Sequence, residues 1–434
     1  MQEEKLHHLL REIFGFDEFR NGQKDIIMSI LNHGDTIAVM PTGAGKSLCY
    51  QLPALHLGGV CLVISPLIAL MQDQVRALKE KNIASACLHS GLSSIEKDEI
   101  MDRVSRAESF ILFISPERLV QLHFLEFLKK LHVNLIVVDE AHCIVEWGAH
   151  FRPDYQKLHL IKANFKARIL ALTASATPQV REEIIEHLKL QRPQQKCFGF
   201  FRPTLFYQTQ KCFDQESKFE VIMDAVAKIK EGRILIYCAT RVQCVSLARR
   251  LCERNQKAEF YHAGLSAERR TQIQSQMNGG EIKILCCTCA FGMGIDYPDI
   301  RLVVHFEVTS SLEELYQEMG RAGRDQKSAH ALTLYSDLDL QVKLTRIDGQ
   351  SLSSRELKRK LKALKNLENY LRAEACRHRM ISEYFGDVQS FKKLRSCGAC
   401  DFCCPSKEIN SSRQIFDLRL RNRLRKLPSY RSMF

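Results

Sequence analysis

Tryptophan occurs once in 434 residues, at Trp147. Long apolar runs are missing as well. No stretch approaches the roughly 20 residues that a bilayer-spanning helix needs, and the amino-terminal segment MQEEKLHHLLREIFGF is charged where a secretory signal carries an uninterrupted apolar core. From these absences a chain that is neither exported nor membrane-embedded is expected. No low-complexity linker interrupts the sequence. Net charge is absent from most of it too, since before Gln341 the 41 Lys and Arg balance 41 Asp and Glu. The formal charge of +13 therefore comes from the remaining segment, with 22 basic residues against 9 acidic ones. That distribution points to a polyanion-binding segment attached to a neutral engine, or else to a basic solvated tail.

Cysteine, by contrast, is abundant. Seventeen cysteines, an odd number, in a chain with no secretory signal argue against a disulfide framework and for a reduced compartment. Any cysteine cluster is therefore first a candidate metal site.

The length suffices for two or three domains with their own cores. Short β-rich runs alternate with helical stretches: TIAVM, VCLVIS, FILFIS, NLIVVD and RILALT, then RILIYC, EFYHA, KILCCT, RLVVHF and ALTLYS. Strands apolar on both faces and separated by helices predict parallel sheets with crossover helices, hence two α/β domains in tandem. The irregular QRPQQKCFGFFRPT, residues 191–204, is the expected junction. Beyond residue 340 the strand pattern stops, and Leu357, Leu361, Leu364 and Leu371 recur at helical spacing. The expected division is 1–202, 203–340, a helical module 341–404 and a basic tail 405–434.

MPTGAGKS, Met40 to Ser47, follows an apolar strand and precedes a helix-compatible run. In such a turn the backbone around Thr42, Gly43 and Gly45 points N–H groups at phosphate oxygens, Lys46 reaches the terminal phosphates and Ser47 meets magnesium. Met40 occupies the place of the first glycine in the strict pattern, and a purely structural glycine turn is the alternative. Asp139 and Glu140 end the strand NLIVV. In a nucleoside triphosphatase of this kind the first carboxylate holds magnesium and the second polarises the attacking water.

In SLEELYQEMGRAGRD, Ser311 is a plausible N-cap, and Gln317, Arg321 and Arg324 at i, i+4 and i+7 are expected on one helix face. An arginine offered to a γ-phosphate from a second domain is an arginine finger, whereas a solvated basic face is the alternative. With Lys46 in the first domain and these arginines in the second, the nucleotide is expected between the domains, as in a motor.

Cys376 followed by Cys397, Cys400 and Cys403 in CGACDFC fits four thiolates around a closed tetrahedral zinc site, with Cys404 and His378 as weaker competitors. Four protein ligands leave no position for water, so the expected metal is structural.

FGFDEFRNGQ, MPTGAGKSLCYQLPA, SPLIALMQDQV, VVDEAHC, LTASATP, YHAGL, AFGMGIDYPDIR and YQEMGRAGRD occur in this order. Together they resemble the successive motifs of superfamily 2 helicases, specifically the RecQ family, across residues 10 to 404. The resemblance implies two RecA-like domains and a zinc-binding subdomain held by the same four cysteines. It also implies ATP-dependent unwinding of DNA with 3′-to-5′ translocation, in repair or recombination. ATP, Mg²⁺ and Zn²⁺ are the implied cofactors, and single-stranded and tailed duplex DNA the implied partners, with single-strand-binding or repair proteins beside them. The setting would be the nucleoid-associated cytoplasm for a bacterial chain and the nucleus for a eukaryotic one. Arg20 and Gln23 are implied to read the adenine, with Phe16 stacking on it where the family usually has Tyr.

The family's loop after the DEAH box senses single-stranded DNA, which implies DNA contact for Trp147 and Phe151 and a coupling role for Arg152. Stacking on an aromatic contributes about 1–3 kcal/mol per base and tolerates any sequence. The chain reads VEWGAHFRP where the family reads close to SQWGHDFRP, giving Val145, Glu146, Ala149 and His150. The family's coupling histidine falls on Ala149. Asn21 for Pro, Phe201 for Asp and Tyr297 for Lys are further departures. After the zinc ligands, about thirty residues are too few for the family's winged helix. Phe416, Leu420, Leu424 and Leu427 among arginines predict a basic amphipathic helix or a disordered tail. A DNA-stimulated translocase or strand annealer, a non-enzymatic DNA-binding adaptor, and an RNA helicase remain the alternatives.

Overall fold

The computed structural model describes residues 2–41, 43–119, 121–146, 153–289, 291, 297–387, 390–391 and 395–409. The predicted contacts of Thr42, Trp147, Ala149, His150, Phe151 and Arg152 and of the tail apolar residues lie outside them. Two compact units result, Met1–Phe201 with Ile381–Lys393, and Arg202–Met380 with Leu394–Phe434.

The first unit is built on strands β1 (Thr36–Val39), β2 (Gly59–Ile64), β3 (Ser85–Leu88), β4 (Ser109–Ile114), β5 (Val133–Val138), β6 (Arg168–Thr173) and β7 (Gln194–Cys197). They form one sheet in the order β3-β4-β2-β5-β6-β1-β7, with parallel pairings. Residues of β1, β2, β4, β5 and β6 are buried in succession rather than alternately, as helices on both faces require. Leu6, Leu10 and Phe14 of the helix Gln2–Phe14 and Ile26, Ile27 and Ile30 of the helix Gln23–His33 close part of that core. Helix starts carry the side chains that satisfy orphan N–H groups: Ser93 and Glu96 make a capping box, and Thr177 caps a helix with Pro178 in its first turn.

The second unit holds β8 (Leu205–Lys211), β9 (Arg233–Tyr237), β10 (Ala258–Tyr261), β11 (Ile284–Cys287), β12 (Ile300–His305) and β13 (Ala329–Tyr335). Their parallel sheet runs β10-β11-β9-β12-β13-β8. Helices Asp337–Asp348 and Ser354–Arg372 follow and pack on each other. The longer one buries Leu364, Leu367, Tyr370 and Leu371, so the apolar stripe read from the sequence faces inward mainly through its second half.

Three strands were not expected. β7 lies inside the stretch 191–204 that the sequence marks as irregular. It is a polar sheet edge, QQKC, held to β1 through backbone bonds that leave no apolar signature. β3 is only four residues long. β8 buries polar side chains, with Gln208 and Gln210 at 3% and 5% exposure, so it lacks the expected apolar run. Its polar groups are taken up by the cysteine-rich segment. Tyr207 N donates to Ala399 O at 3.1 Å, Asp401 N to Tyr207 O at 2.9 Å, and Ile409 N to Gln208 Oε1 at 3.0 Å. No helix among the described residues is long and apolar enough to cross a membrane.

Candidate nucleotide site and metal centre

In open parallel sheets, ligands bind beyond the carboxyl ends of the strands. The first unit gathers its chemistry there. β1 runs into the glycine-rich turn, and Ser47 is the N-cap of the helix Leu48–Leu57. Gly43 and Gly45 take φ of 81° and 80°, which side-chain-bearing residues rarely adopt. Gly45 is also required by a close approach, because a Cβ there would lie 2.4 Å from Gln23 Nε2. Gln23 is buried. Its amide donates to Gly45 O at 3.0 Å and Ala44 O at 3.3 Å, and its carbonyl accepts from Arg20 N at 2.8 Å. Arg20 Nη1 donates to Gly43 O at 2.9 Å. Arg20 and Gln23 therefore sit directly against the phosphate-loop backbone, with Phe16, 48% exposed, nearby in sequence.

Lys46 Nζ lies 3.7 Å from Glu140 Oε1. It is buried, yet makes no hydrogen bond among the described residues. An ammonium withdrawn from water with its donors unspent is costly unless an anion completes it, so the site fits a phosphate. Asp139 and Glu140 follow β5, where Asp139 N donates to Ile64 O at 2.9 Å and Glu140 N to Asp139 Oδ1 at 3.0 Å. Glu140 has φ of 49°, a strained value for a residue with a Cβ. His142 Nδ1 lies 2.9 Å from Thr173 Oγ1 and 3.4 Å from Glu140 Oε2. This residue, with Thr173 of LTASATP, positions Glu140. Both stood within quoted motifs, but only their convergence in space assigns them that task.

Burial, and then the neighbouring charge of Glu140, push the Asp139 carboxyl up to about 6. Its folded value exceeds its unfolded value, so between about pH 4 and pH 6 the folded chain binds a proton that the unfolded chain does not. Stability therefore falls as pH rises through that window, and the whole penalty is present above it. Asp139→Asn is expected to be more stable than the unchanged chain at pH 7.5, by up to about 3 kcal/mol. The difference should close below about pH 4, which thermal unfolding between pH 4 and 8 measures.

In the second unit, Ser311 Oγ accepts from Glu314 N at 3.2 Å and caps the helix Leu312–Met319 as expected. The arginines depart from expectation. The helix ends at Met319, so Gln317 lies on it but Arg321 and Arg324 lie in the turns that follow. Tight bonds, Arg321 N to Glu318 O at 3.2 Å and Ala322 N to Met319 O at 3.1 Å, replace the helical ladder, and Gly323 at φ of 60° redirects the chain. The two glycines of GRAGR favour leaving the helix over extending it. Arg321 Nε is buried and makes no hydrogen bond among the described residues.

The thiols of Cys376, Cys397, Cys400 and Cys403 all lie within 4.8 Å of one another. A tetrahedron of sulfurs about 2.3 Å from zinc has edges of about 3.8 Å, so the cluster fits that metal. Cys397 and Cys400 sulfurs are 3.3 Å apart, and N–H groups of Ala399 and Cys403 point at them from 3.3 and 3.4 Å. Hydrogen bonds with Cys397 and Cys400 hold the Cys376 thiol down, and the bonds that Cys397 makes with Cys376 and Cys400 push the Cys397 thiol up, so the cluster shares its protons. Among the described residues no other group of His, Cys, Asp or Glu converges in this way. Cys404 is outside the cluster. His378, fully buried, turns Nε2 to Leu205 O at 3.0 Å and Ala399 O at 3.2 Å, and burial pushes its pKa down to about 4. It is a neutral hydrogen-bond donor to backbone. Asp401, between the ligands, accepts from Arg377 Nε at 2.9 Å and Thr209 N at 3.0 Å, a buried junction that spacing alone did not signal.

Two of the departures noted in the sequence, Phe201 and Tyr297, are accommodated by packing. Phe201 sets its ring edge against Phe391 at 5.1 Å, and Tyr297 lies under the Arg233 guanidinium at 4.8 Å.

Family models match consecutive parts of the chain: DEAD/DEAH box helicase over residues 20–184, helicase conserved C-terminal domain over 217–326 and RecQ zinc-binding over 335–404. The probable ATP-dependent DNA helicase RecS of Bacillus subtilis is 39% identical over 84% of this chain and 73% of its own. The ATP-dependent DNA helicase RecQ of the same organism is 37% identical over 92% of this chain and 67% of its own. Longer relatives are spanned only partly, as with RecQ-like DNA helicase blm-1 of Caenorhabditis elegans, 35% identical, of which the match covers 43%. The helicase MrfA bound to DNA and AMPPNP shares the fold at a TM-score of 0.62 with 19% identity, over 79% of this chain and 52% of that one. The motif order, the two parallel sheets, the clustered thiols and these relatives lead to one conclusion: the chain belongs to the RecQ family of DNA helicases.

Proposed function

We propose that the chain hydrolyses Mg²⁺-ATP to move 3′ to 5′ along single-stranded DNA and to separate duplexes, in DNA repair or recombination. The observation that carries this reading is the buried, unspent Lys46 ammonium facing Glu140 above the first sheet. On this reading Lys46 and the amides of Thr42, Gly43 and Gly45 hold the phosphates, and Arg20, Gln23 and Phe16 hold the adenine. Ser47 and Asp139 would bind Mg²⁺, which supplies charge neutralisation on the phosphate oxygens. Glu140 orients the attacking water, with His142 and Thr173 fixing its direction. Gln317, Arg321 and Arg324 respond to the γ-phosphate, with Arg321 or Arg324 as the finger. Trp147, Phe151 and Arg152 contact the strand and report its presence. The four cysteines bind structural zinc.

Family membership supports DNA over RNA, because the shared fold also occurs in the RNA-bound yeast protein Dbp5 and so does not discriminate between them. The compartment follows the DNA: the nucleoid of a bacterium or the nucleus of a eukaryote.

The test is strand separation on two matched duplexes, one with a 3′ tail and one with a 5′ tail, with ATP consumption followed in the same reactions. Opening of the 3′-tailed duplex alone is the expected result. ATP consumption without opening would replace the helicase reading with that of a translocase. Opening from the 5′ tail alone would reverse the polarity.

A further inference from the structure

The turn that carries Arg321 and Arg324 is fastened from two sides by residues that no motif reading assigns. Arg202 lies just before β8. Its guanidinium donates to Gly320 O at 3.0 Å, Ala322 O at 2.6 Å and Gly323 O at 3.0 Å, so one side chain ties three carbonyl acceptors of the turn. These carbonyls follow the end of the helix Leu312–Met319, where backbone oxygens lack helical partners and attract cations. A planar fork with donors on separate nitrogens can span several of them in a fixed geometry, whereas the donors of an ammonium all sit on one nitrogen.

On the inner side Glu318 is only 7% exposed, and its Oε2 lies 3.0 Å from Nε2 of the fully buried His305. His305 Nδ1 makes no hydrogen bond among the described residues, so the proton belongs on Nε2, which donates to the carboxylate. The imidazole lies parallel to the Tyr237 ring at 5.5 Å, and Tyr237 in turn donates its hydroxyl to Phe291 O at 3.1 Å. Glu318 sits between Gln317 and the turn, flanked on the helix by buried Leu315 and Met319. An apolar residue would fill such a place with no desolvation cost, whereas a buried carboxylate is costly and needs its partner. What the polar pair adds over hydrocarbon is direction: it sets the rotation of the helix about its axis.

We propose that Arg202 and the His305–Glu318 pair are positioning residues for ATP hydrolysis, holding the Gly320–Arg324 turn so that Arg321 and Arg324 project in a fixed arrangement. This rests on the helicase reading above. Both arginines carry the same charge in a short turn, and repulsion alone would splay them. A displacement of about 1 Å at a catalytic group can cost 10²-fold in rate, so fastening matters more to turnover than to ATP binding.

The test compares Arg202→Met, Arg202→Lys, His305→Leu and His305→Gln by steady-state ATP hydrolysis with saturating single-stranded DNA, alongside thermal melting. In Arg202→Met and His305→Leu, kcat should fall about tenfold or more, with KM for ATP within about threefold and melting little changed. Arg202→Lys should recover little, because it cannot span three carbonyls. His305→Gln, whose amide can donate to Glu318, should return to within about threefold of the unchanged chain. Unchanged kcat in both Arg202→Met and His305→Leu would overturn the inference. So would kcat and melting falling together with no recovery in His305→Gln, which marks simple packing. Absence of DNA-stimulated hydrolysis in the unchanged chain would remove the helicase reading instead, so the two failures are distinguishable.

Discussion

Lys46→Ala should lower ATP turnover by about 10³-fold or more while leaving single-strand binding nearly unchanged. Lys46 is the cation facing Asp139 and Glu140, and its Nζ has no competing hydrogen bond among the described residues. Alanine removes the charge that a γ-phosphate needs and leaves two adjacent carboxylates repelling one another and the nucleotide. On the proposed reading DNA binding draws on other parts of the chain, among them the basic segment after residue 340, and should still weaken steeply with salt through counterion release. Hydrolysis with and without single-stranded DNA, and fluorescence anisotropy of a labelled strand, measure the two effects separately. Turnover equal to that of the unchanged chain would withdraw the phosphate-loop assignment.

Replacing a zinc ligand should have an effect of similar size on structure. Cys400 is fully buried, and its sulfur accepts the Cys403 N–H at 3.4 Å. The neighbouring Asp401 binds Arg377 and Thr209, so the thiol cluster and the buried ion pair form one unit. Zinc contributes on the order of 10 kcal/mol where it drives folding. Even a third of that lowers the melting temperature of a unit of this size by about 10 °C. Cys400→Ser should therefore lose zinc, measured by metal analysis, and melt at least that much lower, while Cys404→Ser keeps both properties. A Cys404→Ser variant that lost its metal would move the ligand set by one residue.

The sequence made the sheets legible where strands are apolar on both faces, and it located the loops at their carboxyl ends, because those features follow from burial and backbone chemistry. It hid β7 and β8, whose burial or pairing is polar. It also placed Arg321 and Arg324 on a helix that stops before them. Periodicity counts residues at a constant angle and does not register that two glycines make departure from the helix cheap. His142 and Thr173, 31 positions apart, meet only because β5 and β6 are neighbours. Arg202 and the turn it fastens are 118 to 121 positions apart. No spacing rule reaches that far. The zinc ligands were legible for the opposite reason, since three of the four lie within seven residues and their chemistry admits few other uses.

The pairing of the cysteine-rich segment with β8 has a consequence beyond metal affinity. β8 is the outer strand of its sheet, and Ala399 and Asp401 occupy backbone groups along it that would otherwise be open. An open strand of this kind is a template onto which a second chain can add. Chelation or a lost ligand would release the segment and uncover that template, so the first visible result of zinc depletion should be self-association and precipitation, ahead of any loss of ATP binding. Metal supply during synthesis would then govern how much of the protein remains dispersed.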